Sequence, residues 1–201
     1  MSEMVRVEDV ARLARGQLLL NPSIAIDVRR SITQILDEMA PGGVLVLDFA
    51  RVSAIHPTTA SFIITYLVSQ LRQPRAGERY IAVTGLDPLK RESLRAALGS
   101  AGEYLVEVDL AGRSGKSGAL GPRQLGTVDK ALTYVNNIGT ATAAQLGQVL
   151  GMSSHDASDA LEALVSRRLV VRVPGKGTDD QYKSIGQAII ELREGERPNE
   201  S

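Results

Sequence analysis

Gly43-Val44-Leu45-Val46-Leu47-Asp48-Phe49-Ala50-Arg51-Val52-Ser53-Ala54-Ile55 is the stretch whose reading decides the fold. Val44 to Phe49 is almost unbroken in apolar residues and too short for a helix, so it predicts a strand buried on both faces. Helical periodicity precedes it, with Ile24, Val28, Ile32, Ile35, Leu36 and Met39 spaced to face a sheet. Asn21-Pro22-Ser23 opens that helix, with Ser23 as the expected N-cap, and Pro41-Gly42-Gly43 closes it. A second helix is expected from Thr59 to Leu71, capped by Thr58 or Thr59, with Phe62, Ile63, Tyr66 and Leu67 inward. Helix, strand, helix around one apolar strand points to an α/β or α+β domain.

Further out, Val5-Arg6-Val7 reads as a first strand, and Leu18-Leu19-Leu20 as a strand or the end of a turn. Tyr80-Ile81-Ala82-Val83 is the next strand. Leu86-Asp87-Pro88-Leu89 opens a helix with Leu89, Leu94 and Leu98 inward, and Tyr104–Leu110 offers a terminal strand. Residues 111–124, rich in glycine, read as a linker. The expected division is therefore a first domain at 1–110, the linker, a second domain at 125–195 and a tail at 196–201. In the second domain, Val128, Leu132 and Val135 mark one helix, and Thr142 caps a short second one. Gly151-Met152-Ser153-Ser154 turns into a third helix running to about Arg167. A hairpin over Leu169–Ile185 follows, with a loop at Pro174–Asp180, and Gly186–Glu194 forms the last helix.

Composition narrows the chemistry. The 23 basic residues balance 23 acidic ones, so no global field steers the chain toward nucleic acid or an anionic membrane. Cysteine is absent, which removes thiol catalysis, disulfides and thiolate metal sites and fits a cytoplasmic setting. No run of about 18 apolar residues predicts a membrane span. Two histidines, His56 and His155, do not make a zinc site, and Asp179-Asp180 lacks the spaced oxygens of a calcium loop. Gly115-Lys116-Ser117 matches the end of a phosphate-binding loop, but Leu110 stands where the motif requires glycine. The expectation is no catalytic set, no cofactor and no metal.

Val44–Phe49 through Val52 and Ile55, followed by Thr58-Thr59-Ala60-Ser61-Phe62 opening a helix, resembles the STAS fold of anti-sigma-factor antagonists and its STAS-like relatives. That resemblance implies a protein-docking surface at the His56–Ser61 turn, with His56, Thr58, Thr59 and Ser61 as docking or phosphoswitch candidates. The sequence departs from the family at this turn, where His56-Pro57-Thr58-Thr59 replaces an acidic residue, hydroxyl residues and a glycine. The second domain resembles a bacterial winged helix-turn-helix, carried by Thr142–Leu150, Gly151–Ser154, Ser154–Arg167 and the Leu169–Ile185 hairpin. The fold class expected is thus an α/β (α+β) STAS-like domain followed by a winged helix-turn-helix domain.

Two readings of the second domain follow. For duplex DNA, Arg167, Arg168, Arg172, Lys176 and Lys183 are the phosphate donors, and Ser154, His155 and Ser158 lie at the start of the helix that would enter a groove. Against it, Asp156, Asp159 and Glu162 on that helix would repel phosphates. A protein-binding or dimerising winged helix is the other reading, with Val128–Val135 and Gly186–Glu194 as contact candidates. The leading expectation is a non-enzymatic bacterial regulatory adaptor that docks a protein partner and forms a homodimer. The alternatives are a DNA-binding transcription regulator and a small enzyme or phosphoswitch built on the His56–Thr59 turn.

Overall fold

The computed structural model of the chain describes residues 3–73, 77–110, 115–122, 126–175 and 180–195. The chain is a mixed α/β protein of two compact units. Unit 1 runs to Glu107 and resumes at Leu120; unit 2 takes Val108–Ala119 and the chain from the next helix onward.

Unit 1 is built on four parallel strands, β1 (Val5–Asp9), β3 (Val44–Asp48), β5 (Tyr80–Thr84) and β6 (Leu105–Val108). These run in the order β1-β3-β5-β6; β7 is Ser117–Leu120, of which Leu120 belongs to unit 1. Val44, Leu45, Val46 and Leu47 are each fully buried, as their unbroken apolar run requires. The first crossover holds α1 (Val10–Leu13), β2 (Leu18–Leu19) and α2 (Pro22–Glu38). The second holds β4 (Ala54–Ile55), α3 (Pro57–Ala60), a π turn at Ser61–Thr65 and α4 (Tyr66–Leu71). The third is α5 (Pro88–Ala101). β2 and β4 form a separate parallel ribbon.

The helices share one core with the sheet face carrying Leu45, Leu47, Ile81 and Val83. Ala25, Val28, Ile32, Ile35 and Leu36 supply the α2 side, so the expected stripe is the buried one. Its cap is different. Asn21, not Ser23, caps α2: its side-chain oxygen accepts the Ser23 N–H at 3.0 Å, with Pro22 at the first helical position. The second helix is rotated from the expected register. Thr59, Ala60, Ile63, Ile64, Leu67, Val68 and Leu71 are buried, while Phe62 and Tyr66 are 48% and 40% exposed. Leu89 is also outward, at 78% exposure; Leu94 and Leu98 face the core.

Two charged side chains are locked inside unit 1. Lys90 is 5% exposed and donates through Nζ to Phe49 O at 2.9 Å and Val52 O at 3.0 Å. Its third partner is Asp87, at 3.3 Å. Asp87 is also the α5 N-cap, and the backbone N–H of Lys90 first, then its ammonium, hold the carboxyl below its ordinary value. Glu8, 3% exposed, pairs with Arg6 and Arg12. Gly85 has φ +72, and a Cβ there would stand 2.5 Å from both Ala50 N and Asp48 Oδ1. Only glycine lets the β5 end pass that close to the turn after β3.

Unit 2 contains α6 (Thr127–Ile138), β8 (Thr140–Thr142), α7 (Ala143–Leu150), α8 (Ser154–Ser166), β9 (Val170–Val173), β10 (Gln181–Ser184) and α9 (Ile185–Gly195). The strands pair antiparallel in the order β8-β10-β9. Thr142 and Gln145 form a reciprocal capping box at the start of α7. Gly151, at φ +65, ends α7, and Ser153 caps α8. Ala131, Leu132, Val135, Leu146, Leu161 and Leu164 are all buried.

The 111–124 segment read as a linker is not structureless where it is described: Ser117–Leu120 is a strand, and Leu120 is 1% exposed. Asp109 N donates to Lys116 O at 3.1 Å, and Ser117 Oγ to Asn136 Oδ1 at 2.8 Å. A Cβ on Gly186 would lie 2.0 Å from Gly115 O, so the start of α9 abuts this segment directly.

Candidate functional site

The His56–Ser61 turn is positioned by the β2–β4 ribbon. His56 N donates to Leu19 O at 3.0 Å, which carries the ribbon one residue past β4. Pro57 follows as the first residue of α3 and holds His56 extended, at φ -78 and ψ 141. His56 Nδ1 then accepts the Thr58 N–H at 3.2 Å. The imidazole is therefore the helix cap, a role expected of Thr58 or Thr59. An Nδ1 that accepts carries no proton, and in the neutral ring the proton sits on Nε2.

The structure separates the four candidates. His56 and Thr58 are exposed and Ser61 is half-buried, whereas Thr59 is fully buried with its hydroxyl lacking a hydrogen-bond partner among the described residues. Thr59 shares the inward face of Ala60 and Ile63 and is out of reach of a modifying enzyme. Asp48 faces its own turn: Oδ1 accepts the Ala50 N–H at 2.8 Å.

Downstream of the turn lies an open groove of about 500 Å³ lined by Arg29, Thr58, Ser61, Phe62, Thr65, Tyr66 and Ser69. Arg29, from α2, stacks over the Tyr66 ring at 4.1 Å from its centroid. The sequence reading missed this groove because it placed Phe62 and Tyr66 in the core. Their stripe, 62-63-66-67, overlaps a second one, 63-64-67-68, turned by one residue, or about 100°. Ile64 and Val68 went inward, and the aromatics were left facing solvent beside Arg29.

In unit 2 two of the cations expected to meet phosphate, Arg172 and Lys183, are already engaged by carboxylates. Arg172 pairs with Asp180, with Nε donating to Oδ2 at 2.7 Å, and lies 3.4 Å from Glu162. The Asp180 hydrogen bond, then the field of Glu162, raises its proton affinity further. Lys183 pairs with Glu191 and thereby holds that carboxyl below its ordinary value. Tyr182 donates to Glu162 at 2.7 Å; burial first, then that bond, pushes its hydroxyl up to about 12. Arg167 is the C-cap of α8, and Arg168 sits in the left-handed region at φ +59. Lys176 and Asp179 lie outside the described residues.

On α8, Ser154 and His155 are exposed and Ser158 is half-buried. His155 lies 3.7 Å from Asp159, and Ser153 Oγ donates to Asp156 Oδ2 at 2.7 Å. Of the acids on α8, Asp156 and Asp159 are exposed, and Glu162 is half-buried between Tyr182 and Arg172. Of the apolar residues proposed for self-association, Ile189 is buried, and Ile190 and Leu192 are half-buried.

Among the described residues, no group of three or more metal-ligating side chains converges, and no helix is long and apolar enough to cross a membrane. Comparison of the chain with protein-family models, with curated proteins and with solved structures found no match.

Proposed function

We propose that the protein is a non-enzymatic regulatory adaptor. Unit 1 is a STAS-like module that docks a protein partner beside the His56–Ser61 turn. Unit 2 is a winged helix-turn-helix that pairs with protein, including a second copy of the chain, rather than reading duplex DNA. The helix-turn-helix order of α7 and α8 followed by the β9–β10 hairpin supports the winged-helix reading. The parallel sheet, with its helices packed on the Leu45–Leu47 face, supports the STAS-like one.

The observation that carries the choice is the charge arrangement on unit 2. Arg172 and Lys183 are held by Asp180, Glu162 and Glu191, and the exposed side of α8 is acidic. A phosphate would have to displace a carboxylate from each cation and approach two more negative charges, Asp156 and Asp159. In unit 1, His56 Nδ1 is used as a cap, and among the described residues no hydroxyl or carboxylate hydrogen-bonds the imidazole, which supports a non-enzymatic reading of the turn.

Titration of the chain against mixed duplex fragments at about 50 and 200 mM salt tests this, since phosphate contacts weaken most steeply over that range. No salt-sensitive binding is expected. Salt-sensitive binding at the lower concentration that disappears in Arg172→Ala/Lys183→Ala would overturn the adaptor reading in favour of a DNA-binding regulator.

A further inference from the structure

The groove beside α3 has a chemistry that narrows what can fill it. Arg29 carries one positive charge with no carboxylate partner among the described residues: its described contact is the Tyr66 face, while its neighbour Arg30 is paired with Asp27 at 3.5 Å. A guanidinium stacked on a ring is held flat, and its edge N–H groups remain able to grip a carboxylate with two parallel bonds. Phe62 lies one turn before Tyr66, and Ile26, 46% exposed, lies one turn before Arg29 on α2. Apolar surface therefore flanks the charge, and the hydroxyls of Thr58, Ser61 and Ser69 rim it.

Five kinds of occupant can be compared. A second copy in a twofold contact centred here would set Arg29 against its own symmetry mate, a like-charge clash. An anionic membrane or a nucleic acid is held by several cations, and this groove has one. An extended peptide gains its affinity from an open strand edge, but the groove is walled by helices whose backbone groups are already bonded to one another. A helix meets its own backbone needs and asks only for apolar contact and a matching charge. Thr58 to Ser69 spans eleven residue steps, about 16 Å of helix and three turns of a guest lying alongside.

We propose that the groove receives an amphipathic helix of a partner protein, with an Asp or Glu seated on Arg29 and apolar side chains one turn away on Phe62 and Tyr66. The proposal rests on the reading of unit 1 as a docking module and names the chemistry of its partner.

The probe is a display library of helix-favouring peptides about twelve residues long, a length matched to the three turns of the groove. It is selected on the full chain, and binders are mapped by hydrogen exchange. Selected peptides should carry an acid between apolar residues at helical spacing and should protect residues 58–69. Arg29→Glu should weaken them by about tenfold or more, the loss of one charge-assisted pair with repulsion in its place. Binding should return when the peptide acid is changed to lysine. Phe62→Ser should weaken them as well, with the melting temperature of both variants lowered by no more than a few degrees, since Phe62 is 48% exposed and half-buried Arg29 gives up only its stack on Tyr66. Binders without the acid, or acidic binders indifferent to Arg29→Glu, would overturn the proposal. Binders that protect another surface of unit 1 would overturn the groove and leave the docking reading standing; no binder on unit 1 would overturn both.

Discussion

Replacing Lys90 with methionine should loosen the whole turn on which the candidate docking surface depends. Met keeps the length and apolar stem of lysine and removes only the ammonium. Phe49 O would keep its bond from Val52 N, at 3.0 Å, and lose the one from Lys90. Val52 O would lose its sole described partner and stay buried. Losing a charge-assisted bond costs about 1.5–3 kcal/mol, and orphaning a buried carbonyl about 1–3 kcal/mol. Against this, the variant no longer desolvates an ammonium, which returns part of the sum. A net destabilisation of about 2–4 kcal/mol follows. For a unit of this size about 1 kcal/mol moves the midpoint by about 4–8 °C, so the thermal transition of unit 1 should fall by about 10 °C or more. Circular dichroism melts and urea titrations of the full chain would measure it, with the unit 2 transition as internal reference. The loss should extend to function, because the Phe49–Val52 turn leads directly into β4 and His56. A Lys90→Met chain within about 0.5 kcal/mol of the parent would refute the reasoning, for that is the level of an ordinary surface substitution.

His56→Ala should cost about 1 kcal/mol through loss of the α3 cap, and His56→Asn should restore most of it, because asparagine is among the best capping residues; urea midpoints compare the two. Gly85→Ala should cost about 1–3 kcal/mol from the left-handed backbone alone, with the approach to Ala50 N and Asp48 Oδ1 adding to it, and thermal melts would show it. The Tyr182 hydroxyl binds its proton more tightly in the folded state, so its contribution is complete below its unfolded value near 10 and disappears as pH rises toward about 12. Stability measured across that window should fall for the parent chain and fall less steeply for Tyr182→Phe.

How far the sequence can be read depends on which forces are local. Val44–Leu47 is legible because four consecutive apolar residues leave few alternatives to a strand hidden on both sides. The α2 stripe, the Thr142–Gln145 capping box and the Gly151 turn are equally local and are visible in the chain itself. The second helix of unit 1 is different. Residues 62–68 offer two overlapping apolar stripes, and the core chooses between them according to what α2 and α5 can accommodate. The same choice creates the groove, so the groove could not be seen from the chain. His56 as a cap was hidden by the two threonines beside it, the usual capping residues. Lys90 gave no signal either, since one lysine in a helix reads as surface until a turn some forty residues earlier is seen to present its carbonyls. In unit 2 the basic residues were countable, but their neutralisation depends on pairing across β9, β10, α8 and α9.

The passage of the chain between its two units has a consequence for inheritance. The chain leaves unit 1 after Glu107, contributes Val108–Ala119 to unit 2, and returns Leu120 to the core of unit 1 before it continues. Two modules strung end to end can be traded by a single recombination event. These cannot: a break before Val108 deprives unit 1 of Leu120, and a break after Leu120 strips unit 2 of Gly115 and of Ser117, the partner of Asn136. The pair is therefore expected to travel through evolution as one indivisible gene segment, with partner specificity changed by substitution on the surfaces and not by exchange of halves.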